Sequence, residues 1–265
     1  MTPNSNAYRA TGAPQTQAGR FWTMAYAWVA FALTFTFFTW LVIFLANLPG
    51  LGGEPWVSPS VDRGPTFDPF YAALWDIGLV ALFGLQHSAM ARPSFKAWWK
   101  RQIPDGLERS TYVLAAAGAG FIMLAFWKPI PIVLWDVGEP LASLIWVVFA
   151  IGWIILLTAA VNFGVLELLG IRHAWAWIHG RNPPKPTFKQ HGLYALVPHP
   201  MYVGVVLGIW AAPYMTVGHA VLAAAMTAYM LIGKHFEERD LKRTFAASYA
   251  ERQPASLSEA IPPRS

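Results

Sequence analysis

Long apolar runs, each close to the length of a membrane-spanning helix, constrain this sequence more than any other feature. About 20 predominantly apolar residues cross the hydrocarbon core of a bilayer as an α-helix. Six windows approach or exceed that length: 21–47, 70–90, 111–127, 141–168, 201–217 and 219–236. We therefore predict an all-α fold, a polytopic transmembrane helix bundle of about six spans.

The fifth and sixth runs are short, and only Gly218 separates them. Two apolar runs joined in this way predict a tight helical hairpin. One long helix broken at Gly218 explains the same pattern with five spans, and the sequence leaves both arrangements open.

The composition agrees with a membrane protein. Of the 265 residues, 55% are hydrophobic and only 12% are charged, and the mean hydropathy is +0.39, which excludes an ordinary soluble domain. We expect a polar N-terminal tail over 1–20, a single transmembrane domain over 21–253 and a flexible tail over 254–265. The chain has no cysteine, so disulfides, thiolate metal ligands and cysteine nucleophiles are excluded.

The net charge of +5 is distributed in a way that indicates topology rather than nucleic-acid binding. The connections after the second and fourth runs are basic, whereas those after the first and third are mainly acidic. Cytoplasmic loops are enriched in Lys and Arg. We therefore predict cytoplasmic N- and C-termini and a bacterial inner-membrane location, with membrane lipid as a partner and no nucleic acid.

Polar side chains gather at both ends of the predicted hairpin. His191, Tyr194 and His199 lie at the start of the fifth run, and the sixth run ends in "KHFEERDL". A hairpin over 199–238 brings these imidazoles, phenols and carboxylates to one membrane face, where they suit a ligand that carries both a carboxylate and a cation. Alternatively, the acidic residues are a solvated helix end and His199 is an interfacial histidine.

These residues resemble a known family. "GLYALVPHPMYVG", "EERDL" and "FAASYAE" are similar to the closing signature of membrane methyltransferases related to isoprenylcysteine carboxyl methyltransferase. "GLQHSAMARPSFK" and "FGVLELLGIRHAW" resemble the methanethiol S-methyltransferase branch, which includes the NnrU-like proteins. The resemblance extends over about 74–249.

The resemblance implies S-adenosylmethionine bound at the cytoplasmic face. His199 and Tyr202 would hold its methionine end, Glu237 and Glu238 its ribose, and Gly192 and Gly204 would permit close backbone approach. The full set of implied cofactor-binding residues is His191, Gly192, Tyr194, His199, Pro200, Tyr202, Glu237 and Glu238.

The implied reaction is direct methyl displacement onto a small thiol, which converts methanethiol to dimethyl sulfide. The alternatives are methylation of a larger lipidic thiol or carboxylate, and a non-catalytic NnrU-type accessory protein.

The second run contains Gln86 and His87, and polar or ionisable groups inside a span are functional candidates. Histidine suits proton transfer near neutral pH. We therefore expect His87 and Gln86 to be catalytic residues, with His87 accepting the thiol proton and Gln86 orienting its imidazole. The alternative is that both side chains only join this span to its neighbours. Asp76, near the other end of the run, is expected to be a buried hydrogen-bonding residue.

One position departs from the family pattern. Pro198 replaces the arginine that usually precedes His-Pro. Either another cation, from Arg172, Arg181 or Lys189, contacts the cofactor carboxylate, or cofactor binding is weakened or lost. No metal is expected, because the spacing of the histidines between 173 and 199 matches no standard ligand pattern.

Overall fold

The computed structural model describes residues 16–47, 60–183 and 192–244, and the side chains of these as far as 236. Helix dominates. The ten α-helices of the described residues are α1 Gln17–Ala46, α2 Pro69–Ala91, α3 Pro93–Trp99, α4 Glu108–Ala125, α5 Leu141–Phe163, α6 Val165–Leu168, α7 Ile171–Ile178, α8 Leu193–Leu196, α9 Pro200–Trp210 and α10 Val217–Thr244. Two short strands, β1 Val133–Asp136 and β2 Tyr214–Thr216, pair antiparallel.

Four helices of the described residues are long and apolar enough to cross a membrane: α1, α2, α5 and the Val217–Phe236 part of α10. The predicted third and fifth spans are also helical, but they are shorter. α4 has 18 residues and begins with Glu108 and Arg109, and α9 has 11, which corresponds to roughly 16 Å, about half of the hydrocarbon core. All six apolar runs therefore contain a helix, and four of these helices are long and apolar enough to span a membrane.

The fourth predicted span ends earlier than its apolar run. α5 stops at Phe163 because Gly164 adopts a left-handed backbone conformation with φ of 103°. The apolar residues that follow belong to the separate short helix α6. Apolar composition alone did not reveal this break.

The last two apolar runs form two helices that fold back on each other. Residues 211–216 connect α9 to α10, and this connection includes β2, which pairs with β1. His219 Nε2 lies 2.9 Å from the carbonyl oxygen of Ile209, and Trp210 Nε1 donates to Thr227 Oγ1 at 3.0 Å. The reversal is thus made by an extended segment before Gly218, and Gly218 itself belongs to α10.

Glycines allow α5 and α9 to pack backbone against backbone. A Cβ atom added at Gly152 would lie 2.6 Å from the backbone nitrogen of Gly208 and 2.8 Å from the carbonyl oxygen of Gly204. Small residues at such seams are the usual means of close helix packing in membranes. The other face of α5 carries exposed apolar side chains, among them Leu144, Ile154 and Leu157, as expected of a surface in contact with lipid.

Two buried carboxylates join segments that are distant in sequence. Asp76 is fully buried, and its Oδ1 accepts the backbone N–H of Lys128, just beyond α4, at 2.9 Å, which confirms its predicted hydrogen-bonding role. Asp62 accepts from Thr216 Oγ1 at 2.5 Å and from Asn47 Nδ2 at 3.2 Å. Burial raises the pKa of Asp62.

We expect Gly152→Ala to destabilise the bundle by about 1–3 kcal/mol, the usual cost of overpacking, because its added methyl group meets the backbone of α9. The measurement is the thermal unfolding midpoint of the purified protein in detergent. Gly118→Ala on α4 is the matched control, since nothing lies within 4 Å of its Cβ position. Equal midpoints for the two variants would contradict the close α5–α9 contact.

Candidate active site

A cavity of about 340 Å³ lies between the start of α9 and the facing side of α10. His199, Tyr202 and Pro198 line it from the α9 side, and Met230 and Lys234 line it from α10. The start of α9 and the part of α10 over 227–234 therefore border one cavity.

The α9 side of the cavity presents a flat aromatic surface. The rings of His199 and Tyr202 stack at 5.4 Å between centroids with an interplanar angle of 8°. His199 is the N-cap residue of α9, and Pro200 occupies its first turn and is buried. Proline is favoured there because the N–H it lacks would have no helical acceptor. Three of the predicted cofactor-binding residues thus lie together at one helix start.

Gly192 and Tyr194 lie against the end of α5. Gly192 has a positive φ of 59°, and a Cβ atom there would lie within 2.7 Å of two atoms of the Asn162 amide. The ring of Tyr194 contacts that of Phe163 at 6.3 Å. The close backbone approach expected at Gly192 is therefore toward a side chain of the protein, and at Gly204 it is toward the backbone of α5.

The remaining predicted cofactor residues are His191, Glu237 and Glu238. His191 lies outside the described residues, and the side chains of Glu237 and Glu238 are outside them as well. The backbone of α10 continues through both glutamates, directly after Lys234, which lines the cavity.

His87 lies in a different seam, between α2, α4 and α10. The Tyr112 hydroxyl is 2.8 Å from its Nε2, and the Tyr229 hydroxyl is 3.0 Å from its Nδ1. Phe83 stacks on the imidazole with ring centroids 5.7 Å apart. Gln86 points elsewhere: its Nε2 lies 3.0 Å from Met90 Sδ, and its buried Oε1 accepts no hydrogen bond from the described residues.

α10 stands between His87 and the cavity. Tyr229 contacts His87, whereas Thr227, Leu231 and Lys234 line the cavity. At 100° per residue, Tyr229 projects well away from those three side chains. The two sets of predicted site residues therefore flank one helix, on different faces of it.

The three cations suggested to replace the family arginine are not equivalent. Arg172 is exposed, and its Nη1 lies 3.8 Å from Glu167 Oε2. Arg181 lies over the ring of Trp175. Lys189 is outside the described residues. Among the described cavity-lining residues the cation is Lys234.

Positive charge is concentrated near α3, α7 and the start of α4. Arg109 Nε donates to the carbonyl oxygen of Leu168 at 2.7 Å, and the guanidinium lies over the ring of Tyr112. Burial and the nearby Arg109 lower the pKa of His173 to about 4, so the His173 imidazole is neutral at neutral pH.

A larger cavity, of about 550 Å³, lies at the opposite end of the bundle. Asn47, Asp62 and Trp146 are among its lining residues. None of the predicted cofactor-binding residues lines it. We place the candidate site at the smaller cavity because that one combines an imidazole, a phenol and an ammonium group.

The sequence reasoning missed Tyr112, Tyr229 and Lys234. The two tyrosines could have been identified as polar groups inside apolar helices, which need a hydrogen-bond partner there. Lys234 could have been identified as the basic residue that opens the otherwise mainly acidic segment "KHFEERDL".

Comparison with known proteins identifies relatives. A methanethiol S-methyltransferase of Pseudomonas deceptionensis is 39% identical over 76% of this chain and 77% of its own length. A protein of the same name from Mycobacterium tuberculosis is 36% identical over 76% of this chain and 83% of its own length. Human nurim is 30% identical over 78% of this chain and 82% of its own length.

No family model matches the chain, and no solved structure matches it. The two methanethiol S-methyltransferases nonetheless align with about three quarters of it. The chain belongs to the methanethiol S-methyltransferase family, with nurim as a more distant relative.

Proposed function

We propose that this chain is an integral membrane, S-adenosylmethionine-dependent methyltransferase that methylates a small thiol, converting methanethiol to dimethyl sulfide. The observation that carries the proposal is the cavity where His199 and Tyr202 face Lys234. The name of the relatives supports the choice of thiol.

The residues of the cavity suit the cofactor. The stacked His199 and Tyr202 rings offer a flat surface, and the Lys234 ammonium can pair with a carboxylate, in place of the arginine that Pro198 replaces. Glu237 and Glu238 follow on α10 and are proposed to bind the ribose hydroxyls. His191, Gly192 and Tyr194 precede α9 in the chain. Gly192 and Tyr194 lie against the end of α5 and are proposed to support the site from there, and His191 is proposed to contact the cofactor.

When bound, S-adenosylmethionine supplies an electrophilic methyl group for direct displacement. The protein has to orient the thiol, exclude water and remove the thiol proton, since the thiolate is the nucleophile. We assign proton removal to His87, with Gln86 beside it on α2. Orientation of two bound reactants is itself a large source of rate enhancement.

The acceptor is proposed to enter from the membrane. α2 and α10 carry the contact between His87 and Tyr229, α10 also lines the cavity, and both helices are long and apolar enough to span a bilayer. A small apolar thiol concentrates in such an environment more readily than in a water-facing cleft.

We further propose that the cavity faces the cytoplasm and that both termini lie there. Arg109 at the start of α4 bonds to Leu168 at the end of α6, and Gly192, which precedes α9, lies against Asn162 near the end of α5. These two contacts support the same end of the bundle for the basic segments and for the start of α9. Lys and Arg are retained on the cytoplasmic side.

Topology is testable because the chain has no cysteine. Single cysteines at the exposed positions Gly138 and Gln102 would be labelled with a membrane-impermeant maleimide in intact cells. We expect labelling of Gly138→Cys in intact cells and of Gln102→Cys only after lysis. The reverse pattern would contradict the cytoplasmic orientation.

His199→Ala should weaken S-adenosylmethionine binding about 10-fold or more, because it removes the imidazole from the cavity wall and its stack with Tyr202. Isothermal titration of the purified protein in detergent gives the dissociation constant. His179→Ala is the matched control, since His179 is exposed at the end of α7. If His199→Ala bound S-adenosylmethionine as tightly as the wild type, cofactor binding in this cavity would be contradicted.

His87→Ala should lower methyl transfer to methanethiol by about 100-fold or more, the usual contribution of a general base, and should leave cofactor binding nearly unchanged. The readout is labelled thioether released from labelled S-adenosylmethionine, measured beside its binding constant. Equal loss of both quantities would contradict the assigned role.

The wild-type protein distinguishes the alternative functions in the same assays. Wild-type protein that binds the cofactor without turning over thiols would indicate a lipidic acceptor, and absence of binding would indicate an accessory protein.

A further inference from the structure

Both ring nitrogens of His87 are already in contact with phenols. The Tyr229 hydroxyl lies 3.0 Å from Nδ1, and the Tyr112 hydroxyl lies 2.8 Å from Nε2. A neutral imidazole has one N–H donor and one acceptor nitrogen. Whichever nitrogen carries the proton, the other accepts from a phenol. An incoming thiol therefore finds a phenol oxygen where the free base would be.

The contacts of the two phenols differ. The Tyr112 hydroxyl lies 2.8 Å from Nε2 and 3.2 Å from Nδ1, whereas the Tyr229 hydroxyl contacts Nδ1 at 3.0 Å and also accepts from Ser88 Oγ over a long 3.5 Å. A phenol oxygen can accept one hydrogen bond and donate its own proton in another. In the tautomer with the proton on Nε2, Nδ1 is the basic nitrogen and Tyr229 lies against it.

Burial also favours Tyr229 as the group that meets a substrate. Tyr112 is only 7% exposed and lies under Arg109. Tyr229 is half-buried and belongs to α10, the helix whose other face lines the cavity. Tyr229 is therefore the less buried of the two phenols.

We propose that Tyr229 is a catalytic residue that touches the thiol and relays its proton to Nδ1 of His87. This rests on the thiol methylation proposed above and changes which residue contacts the acceptor. His87 is the final proton acceptor, and Tyr112 holds the imidazole in the tautomer that the relay needs.

The relay balances in protons and electrons. The S–H bond breaks and its proton binds the Tyr229 oxygen, while the phenolic proton moves to Nδ1, so that His87 becomes an imidazolium and Tyr229 is unchanged. The electron pair left on sulfur forms the new carbon–sulfur bond as the methyl group leaves its sulfonium. The imidazolium then releases its proton to water.

The packing of α2 against α10 sets the position of the phenol. A Cβ atom added at Gly84 would lie 2.7 Å from the ring of Tyr229, so the ring rests directly on the backbone of α2. Phe83 meets the same ring edge-on at 6.1 Å. The relay geometry therefore depends on a glycine three residues before His87.

The deciding experiment compares two thiols with the full chain in lipid nanodiscs. Methanethiol is almost fully protonated at neutral pH, whereas 2,2,2-trifluoroethanethiol is appreciably ionised and needs no base. We expect Tyr229→Phe to lower kcat for methanethiol about 100-fold and to change kcat for the acidic thiol by less than about threefold. Tyr71→Phe, at an exposed site on α2, is the matched control.

Each outcome has a definite meaning. Equal loss on both thiols would assign Tyr229 a structural role only, and no loss on methanethiol would remove it from the proton path; either result overturns the relay. Wild-type protein that methylates neither thiol would instead overturn the proposed function itself.

A second pair of variants tests the relay without removing the hydroxyl. Gly84→Ala displaces the Tyr229 ring, whereas Gly78→Ala meets nothing within 4 Å. We expect Gly84→Ala to lose activity on methanethiol and to keep activity on the acidic thiol, and Gly78→Ala to keep both. Full activity of Gly84→Ala on methanethiol would count against the relay.

Discussion

The close backbone contact between α5 and α9 is the constraint on which the position of the candidate site depends. Gly152, Gly204 and Gly208 allow the two helices to approach without intervening side chains. α9 is too short to be held by its own length in a bilayer, so this seam determines where its first turn lies. The His199–Tyr202 stack is thereby held beside α10, and the cavity follows.

α10 connects the two halves of the proposed chemistry. One face of this helix contacts the cavity through Thr227, Leu231 and Lys234, and another carries Tyr229 to His87. A rigid helix that touches both sites keeps their separation constant.

The polar groups near His87 are costly to bury in an apolar bundle unless each finds a partner. Tyr112 and Tyr229 supply the partners of the imidazole. The same contacts that satisfy the imidazole also deny a substrate direct access to it. This is the physical reason why proton transfer at this position is assigned to a phenol and an imidazole acting together.

The sequence by itself determined the helical class, the position of the apolar runs and the family resemblance, and it offered a hairpin near His199 as one of two arrangements. These are properties of local composition and of chain reversal, which need no knowledge of distant contacts. It also indicated His87, because an ionisable side chain within an apolar run is costly to bury and is a functional candidate.

Only the tertiary structure decided which faces of the helices meet. The extended turn before Gly218 and the contact of Gly192 with Asn162 depend on packing between segments far apart in sequence, and the break at Gly164 comes from a backbone conformation that apolar composition does not specify. The same holds for the two phenols on His87, which come from positions 25 and 142 residues away. The rotation of a helix about its axis is set by its neighbours, and an apolar run is compatible with every rotation.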